Sequence, residues 1–486
     1  MSSSSFIFQP LKDFNCLFKS NKFSTIDGLR TSAHLSLVYL HIVMVFVLLI
    51  PMYPNKEWLE YLKTNSFLVT SYAPLILEIF FLLTGFLLTY QTLTIKENIN
   101  IYLFIFKRFL RYLPGLGLIY LYIFIFDDSS MNKNWIQYFI HLPLIQNYIN
   151  TDYWSLSLIA TWSNSLDFQV YILLSILIYF LSMKYKLNLR QIYDILYILL
   201  LSSFCVCFYC FDSRTMNTKK EGVQLHPLIA LNYTQVKIYF EFNNLPSLSI
   251  NETTVTNDLN YLQSSIILKN HLKYYYYPLH IRYSSFIVGS LLAVKLLLSG
   301  HNIQNNNTFS RFKKLIYGIL MCCLFLSIIR QLKITQLKPS EIMITIVMCS
   351  IRQLISIIFA FLLYTTLVDK QHSYHNKYLK QILCFHIFTP LAKLSYSVYL
   401  LHFRIASDLV YKGPLNKLLI VHIDLAAPIC FIFTLIISVL IACIWYCFVE
   451  QPFVRLTNNL FHLTTSSSND EQQSLIDNNS YCLKKE

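Results

Sequence analysis

Long apolar runs alternate with short polar connections along most of the 486-residue chain. A helix needs about 20 mostly apolar residues to cross the hydrocarbon core of a bilayer. By that criterion the pattern predicts about ten transmembrane helices, and therefore an all-α, polytopic membrane helix bundle. The predicted spans are 31–52, 67–93, 101–126, 154–181, 191–211, 280–299, 314–330, 341–368, 389–411 and 423–449.

Polar segments divide the chain around this array. We expect a cytosolic N-terminal segment over 1–25, a transmembrane domain over 26–456 and a disordered cytosolic tail over 457–486, which is rich in Ser and Asn. A long polar loop at 212–279 separates the fifth and sixth spans, and the topology makes it luminal or extracellular. It contains the sequons of Asn232 and Asn251, which are candidate glycosylation sites, although an Asn-rich chain also generates sequons by chance.

Composition and charge fit a membrane protein. Hydrophobic residues make up 55% of the chain and charged residues only 13%, against about 25% in soluble proteins. The formal net charge of +14 lies in short clusters between apolar runs, so it indicates positive-inside topology and not a nucleic-acid-binding tract. The bias favours both termini in the cytosol. The cysteines are not paired with histidines at metal-ligand spacings, so we expect no metal site and no bound cofactor.

The first predicted span carries three polar residues on one helical face. Arg30, His34 and His41 are separated by 4, 7 and 11 residues, which at about 3.6 residues per turn aligns their side chains. Arg30 would lie at the cytosolic mouth and His41 about 16 Å deeper. A single membrane histidine is more often a structural hydrogen-bond partner, but a stacked face of this kind favours a functional site.

Other spans also carry polar residues where polarity is expensive. Arg108 and Arg111 share a face of the third span and either anchor the helix at the interface or capture phosphate groups. The second span contains Glu78 and Gly85, and two interpretations are open. Either Glu78 belongs to a polar site, or Gly85 is a close-packing site and Glu78 lies near the outer interface. Asp167 lies too far inside the fourth span to be a cap, and could orient an imidazole.

Later segments contribute further candidates. Arg282 and Tyr283 begin the sixth span. Tyr396, Tyr399 and His402 follow one another at spacings of three, so they share a face that either lines a polar cavity or forms an interhelical hydrogen-bond seam.

Taken in order, these segments resemble the acyltransferase 3 superfamily of membrane proteins, and within it the nose-resistant-to-fluoxetine-like branch. The resemblance covers about 24–456. Departures are Thr84 for the usual Ser and Asn164 for an apolar residue. The matching motifs are Asp27-Gly28-x-Arg30 with His41, Phe80-Phe81-x-x-Thr84-Gly85-Phe86, Arg108-x-x-Arg111-x-x-Pro114, Trp162 with Asp167-x-Gln169, Arg282-Tyr283 with Gly289, Tyr396-x-x-Tyr399-x-x-His402, and Glu450-x-Pro452.

The resemblance implies an acyltransferase that moves an acyl group from a cytosolic donor, acyl-CoA as co-substrate, to a hydroxyl or amine of a lipid, glycan or small acceptor. Arg30, Arg108 and Arg111 would bind the donor, and His41 would act as general base with electrostatic support from Asp167. The residues expected to line the cavity are His34, Glu78, Trp162, Gln169, Arg282, Tyr283, Tyr396, Tyr399 and His402.

Two other functions stay open at this point. A lipid or small-molecule transporter could use the same bundle without catalysis, because fold does not fix function. A structural or receptor-like membrane protein is the third possibility. In every case membrane lipids are the expected partners and nucleic acid is not, and the membrane is that of the endoplasmic reticulum or the cell surface.

Overall fold

The computed structural model describes residues 9–19, 24–49, 76–94, 100–126, 146–148, 161–219, 279–301, 341–368, 374–411 and 423–465. All regular structure in these ranges is helical. The α-helices are α1 (Pro10–Leu17), α2 (Ser24–Leu49), α3 (Leu77–Thr94), α4 (Ile101–Phe126), α5 (Trp162–Tyr179), α6 (Leu189–Lys219), α7 (Leu279–His301), α8 (Glu341–Val368), α9 (Tyr374–Leu383), α10 (Phe388–Tyr411), α11 (Ile423–Trp445) and α12 (Gln451–Thr465).

The predicted class, a multi-pass membrane helix bundle, is confirmed. Within the described ranges six helical stretches are long and apolar enough to cross a membrane. Three further helices, α2, α6 and α10, have 26, 31 and 24 residues, and each contains several polar or charged side chains. The six stretches are Leu77–Thr94, Ile101–Ile125, Trp162–Lys184, Leu279–Ser299, Ser350–Val368 and Ala426–Asn458.

The predicted boundaries differ from the structure at some ends. Helix α6 continues to Lys219, past the predicted start of the polar loop at 212, because 212–219 contains no Gly or Pro to end the helix. Helix α5 is extended by a π-helical turn at Phe180–Lys184. The predicted span 314–330 and the sequons of Asn232 and Asn251 lie outside the described residues, so the total of ten spans and the glycosylation sites stay predictions.

Helices α3 and α7 pack closely through two glycines. A Cβ atom built on Gly85 would lie 2.0 Å from the carbonyl oxygen of Phe286, and one built on Gly289 would lie 2.0 Å from that of Leu82. Each helix therefore offers a Cβ-free position to the backbone of the other, as small residues do in membrane helix pairs. This geometry confirms Gly85 as a close-packing site.

The first and last described helices meet. Asp13 of α1 accepts hydrogen bonds from both terminal nitrogens of Arg455 in α12, at 2.5 and 2.7 Å. Both side chains are buried. This bidentate pair brings the two ends of the described chain together. The membrane face on which they lie stays a prediction from the charge bias.

Replacing Gly85 by Ala should disrupt the α3–α7 crossing. The added methyl group meets backbone, which cannot move aside as a flexible side chain can, so we expect a loss of about 1–3 kcal/mol. The measurement is the melting temperature of the purified protein in detergent. Gly117→Ala is the matched control, because its nearest neighbour would be a Trp445 side-chain atom at 3.9 Å. Equal melting temperatures for the two variants would contradict the packing argument.

Candidate functional site

His41 of α2 and His402 of α10 form a direct pair. Nδ1 of His41 lies 2.7 Å from Nε2 of His402, and the two rings are nearly parallel, with 6° between their planes and 5.0 Å between their centroids. His402 is fully buried, whereas His41 is only partly enclosed. Helices α2 and α10 run alongside each other, since Thr31 of α2 also donates to the carbonyl of Phe388 at 3.0 Å.

Tyr399 completes what we call the histidine cluster, which consists of His34, His41, Tyr399 and His402. The Tyr399 ring lies 6.4 Å from that of His34, 6.3 Å from that of His41 and 5.5 Å from that of His402. Its hydroxyl is hydrogen-bonded to the hydroxyl of Ser163 in α5, at 2.9 Å. His34 is 3% exposed, and its Nε2 atom has no hydrogen-bond partner within the described ranges. Three of the predicted cavity-lining residues are therefore assembled around the predicted base.

Asp167 is engaged by helix α4. Its Oδ2 atom accepts a hydrogen bond from the Tyr112 hydroxyl at 2.5 Å and another from Nη2 of Arg108 at 3.4 Å. The Arg108 guanidinium also lies over the rings of Tyr112 and Tyr171, with 5.5 and 5.0 Å to their centroids. The Asp167 carboxylate is thus held by a cation and a phenol on the neighbouring span.

The predicted support of His41 by Asp167 is not what the structure has. The hydrogen-bond partner of His41 is His402, and that of Asp167 is Tyr112. The reason is the helical rise: Asp167 lies four residues after Ser163, the residue that reaches the histidine cluster, and so about 6 Å further along α5. A carboxylate one turn away is held by the nearest donors, which belong to α4.

The three predicted donor-binding arginines lie in one region. Arg30 interacts electrostatically with Arg108 and Asp167, and Arg111 interacts with both Arg30 and Arg108. Arg111 is exposed and Arg30 partly so, and the Arg108 side chain is 27% exposed. We call Arg30, Arg108 and Arg111, with Asp167 and Tyr112, the arginine layer. Arg30 also interacts electrostatically with Asp27 and Arg111 with Glu450, whereas Arg108 is hydrogen-bonded to Asp167.

Tyr396 connects the arginine layer to the histidine cluster. Its hydroxyl donates to the backbone carbonyl of Tyr112 at 3.3 Å, and the two rings meet edge to face at 5.5 Å. Because Tyr396 precedes Tyr399 by three residues, both lie on the same face of α10. That face carries the histidine cluster deeper in the bundle and meets the arginine layer one turn earlier.

The predicted cavity residues Glu78, Arg282 and Trp162 belong to a separate buried ion-pair cluster. Glu78 is 0% exposed and lies in the first turn of α3. Its carboxylate accepts hydrogen bonds from Arg282 and Ser285 of α7, and Nε of Arg352 in α8 lies 4.0 Å away. Arg282 also lies 5.5 Å from the centroid of the Trp162 ring. A carboxylate inside a membrane protein needs such compensation, and here it joins three helices.

The remaining two predicted cavity residues face other neighbours. Gln169 and Asn147 exchange amide hydrogen bonds at 3.1 and 2.7 Å, which ties α5 to the short 3-10 turn Gln146–Tyr148. The Tyr283 hydroxyl is hydrogen-bonded to Ser202 of α6, at 3.1 Å. Both interactions join helices or segments outside the histidine cluster.

Sequence reasoning missed two residues of the site: Tyr112, which is hydrogen-bonded to Asp167, and Ser163, which is hydrogen-bonded to Tyr399. A signal for each was present: Tyr112 lies four residues after Arg108, and Ser163 lies four residues before Asp167, so each shares a helical face with a residue already chosen. Within the described part of the chain no group of three or more His, Cys, Asp or Glu residues could hold a metal ion.

Comparisons of the chain with models of protein families, with curated proteins and with solved structures find no match. The likeness to the acyltransferase 3 superfamily rests on the sequence motifs.

Glu78→Ala should unfold the bundle and not merely impair a site. It leaves Arg282 buried without its carboxylate, a change that costs about 3–5 kcal/mol in comparable buried pairs. The measurement is the fraction of monodisperse protein in detergent together with its melting temperature. Asp408→Ala is the control, because it breaks the more exposed Arg404–Asp408 pair, whose side chains are 14% and 22% exposed. A stable Glu78→Ala protein would overturn the structural role given to this carboxylate.

Proposed function

We propose that the protein is a membrane-embedded acyltransferase that moves an acyl group from a cytosolic acyl-CoA to a hydroxyl or amine of a lipid, glycan or small acceptor. The observation that carries the proposal is the placement of a basic layer and an imidazole cluster at two levels of the same helices. Arg30 and His41 share a face of α2, and both levels are bridged by Tyr396 and Tyr399 of α10.

The separation of the two levels fits the donor. Eleven residues separate Arg30 from His41, or about 16 Å along the helix axis. A coenzyme A thioester has its phosphates and its reactive carbonyl at opposite ends of a long arm, so phosphates on the arginine layer would leave the thioester near His41. His34 lies between the two levels. Its buried Nε2 atom has no hydrogen-bond partner among the residues that the structure describes and can bind an amide of that arm.

The chemistry needs one base. Nε2 of His41 takes the proton of the acceptor hydroxyl or amine while that heteroatom attacks the thioester carbonyl. The new carbon–oxygen or carbon–nitrogen bond forms, the carbon–sulfur bond breaks, and the leaving thiolate takes the proton back from His41. The chain contains no G-x-S-x-G motif, which favours direct attack over an acyl-serine intermediate.

Asp167 has a role in this scheme that differs from support of the base. Its carboxylate forms an ion pair with the Arg108 guanidinium, so an incoming phosphate must compete with Asp167 for that guanidinium. This arrangement keeps a partly buried cation neutralised when no donor is bound. It also lowers the affinity for the donor.

His41→Ala should abolish acyl transfer without loss of expression. Proton removal by a positioned base contributes about 10²–10⁴-fold, so the rate should fall by at least about 100-fold. The assay supplies isotopically labelled acyl-CoA to membranes that contain the protein and follows labelled products by mass spectrometry. His386→Ala is the control, since His386 is exposed between α9 and α10. Unaltered acylation together with changed lipid uptake would support the transporter instead.

Asp167→Asn should tighten donor binding. The variant frees Arg108 for phosphate, and a hydrogen bond to a charged group contributes about 1.5–3 kcal/mol, which corresponds to about 10-fold or more in Kd. Binding of coenzyme A to the purified protein in detergent can be measured by calorimetry. Asp194→Asn on the exposed side of α6 is the control and should leave Kd unchanged. Weaker binding by Asp167→Asn would contradict the competition described above.

A further inference from the structure

We propose that His402 is a positioning residue that fixes the tautomer of His41, so that Nδ1 of His41 carries the proton and Nε2 carries the lone pair. The catalytic meaning of this inference rests on the proposed function, but the tautomer itself does not. The inference follows from two hydrogen bonds in series, one from His402 to its own helix and one between the two rings.

The first hydrogen bond sets the proton on His402. Its Nδ1 atom lies 3.3 Å from the carbonyl oxygen of Val398, one turn earlier in α10. A carbonyl oxygen can only accept, so Nδ1 of His402 must be the donor. The proton position is thereby dictated by a backbone group that cannot change its role.

The second hydrogen bond passes this constraint to His41. His402 is 0% exposed, and among the described residues neither imidazole has a carboxylate within hydrogen-bond distance, so a buried imidazolium would be uncompensated. A neutral His402 with its proton on Nδ1 has a lone pair on Nε2. Nδ1 of His41, which lies 2.7 Å from that lone pair, must then donate. Nε2 of His41 is left without a proton and is a base.

Packing holds the rings in this orientation. The Phe403 ring meets the His41 ring edge to face, with 5.9 Å between their centroids. The centroid of the Tyr399 ring lies 6.3 Å from that of His41, and the Tyr399 hydroxyl is hydrogen-bonded to Ser163. His402 is completely enclosed, whereas His41 keeps partial exposure. The ring whose Nε2 lone pair is not used in the pair is therefore the ring that keeps exposed surface, and the ring that orients it is inside the protein.

The arrangement also serves the protonated state. When Nε2 of His41 accepts a proton, its Nδ1–H continues to donate to Nε2 of His402, and a hydrogen bond from a charged donor is stronger than one from a neutral donor. His402 thus does for His41 what a carboxylate does in a Ser-His-Asp triad, without a charge of its own.

The test reads the tautomer directly. The protein is labelled with ¹⁵N-histidine, reconstituted in phosphatidylcholine bilayers without any substrate, and measured by solid-state NMR, with the His41 signals assigned by their loss in His41→Gln. We expect a protonated Nδ1 and an unprotonated Nε2 at His41. A proton on Nε2 of His41 in the wild-type protein would overturn the proposal.

Two variants of His402 separate positioning from packing. His402→Gln can place an amide oxygen near the former Nε2 position and should preserve both the His41 tautomer and at least about a tenth of any acyl-transfer rate. His402→Leu has similar bulk but no acceptor, so we expect protonated Nε2 to appear at His41 and the rate to fall by about 100-fold. An unchanged tautomer in His402→Leu would refute the inference.

The tautomer measurement is independent of the proposed function. If no acylated product depends on His41, acyl transfer fails as the function while the measured tautomer still decides the role of His402. If acyl transfer is present but His402→Leu transfers acyl groups at the wild-type rate, the positioning role is wrong and the acyltransferase stands.

Discussion

A polar side chain inside a bilayer-spanning bundle is costly unless it finds a partner within the protein, because hydrocarbon offers none. Among the described residues, three polar clusters meet this constraint, and each joins different helices. Glu78 binds α3 to α7, Asp167 binds α5 to α4, and His41 binds α2 to α10. These contacts help to specify which helices are neighbours, because each needs a matching donor and acceptor. The two clusters that contain the predicted catalytic residues, His41 and Asp167, are adjacent because α10 contacts both through Tyr399 and Tyr396.

Local sequence could predict which residues share a helical face, and it did so for Arg30, His34 and His41. It could not predict partners on other helices, because those depend on how distant segments pack. His41 and His402 are separated by 361 positions and Glu78 and Arg282 by 204. The assignment of Asp167 to His41 failed for this reason. Residue types suggested an imidazole and a carboxylate working together, but a single turn of α5 decides which donor the carboxylate meets.

The close approach of α3 and α7 also separates what local sequence can predict from what depends on the packing of distant helices. Gly85 could be identified as a packing site from its place in an aromatic run, but its complement Gly289 becomes meaningful only when the two helices are seen to cross. The rigid crossing has a consequence for the site. It brings Arg282 and Ser285 to Glu78. Charged and polar residues that sequence alone would assign to a reactive cavity therefore pair with one another between the helices. Buried polarity in a membrane protein therefore divides between groups that hold helices together and groups that remain available to a ligand.

A neutral acceptor beside a catalytic imidazole suits a membrane interior. A carboxylate next to His41 would bury a charge in the resting protein and require a compensating cation, as Glu78 does. With His402 in that place the resting pair has no net charge, and charge develops only when His41 takes a proton. In the proposed acyl transfer, the hydrogen bond between the rings strengthens as His41 takes the proton, so its stabilisation would fall mainly on the transition state and not on the ground state. Polar groups arranged in advance around a developing charge are among the largest contributions to enzymatic rate. In the proposed reaction the fully buried His402 would be such a group.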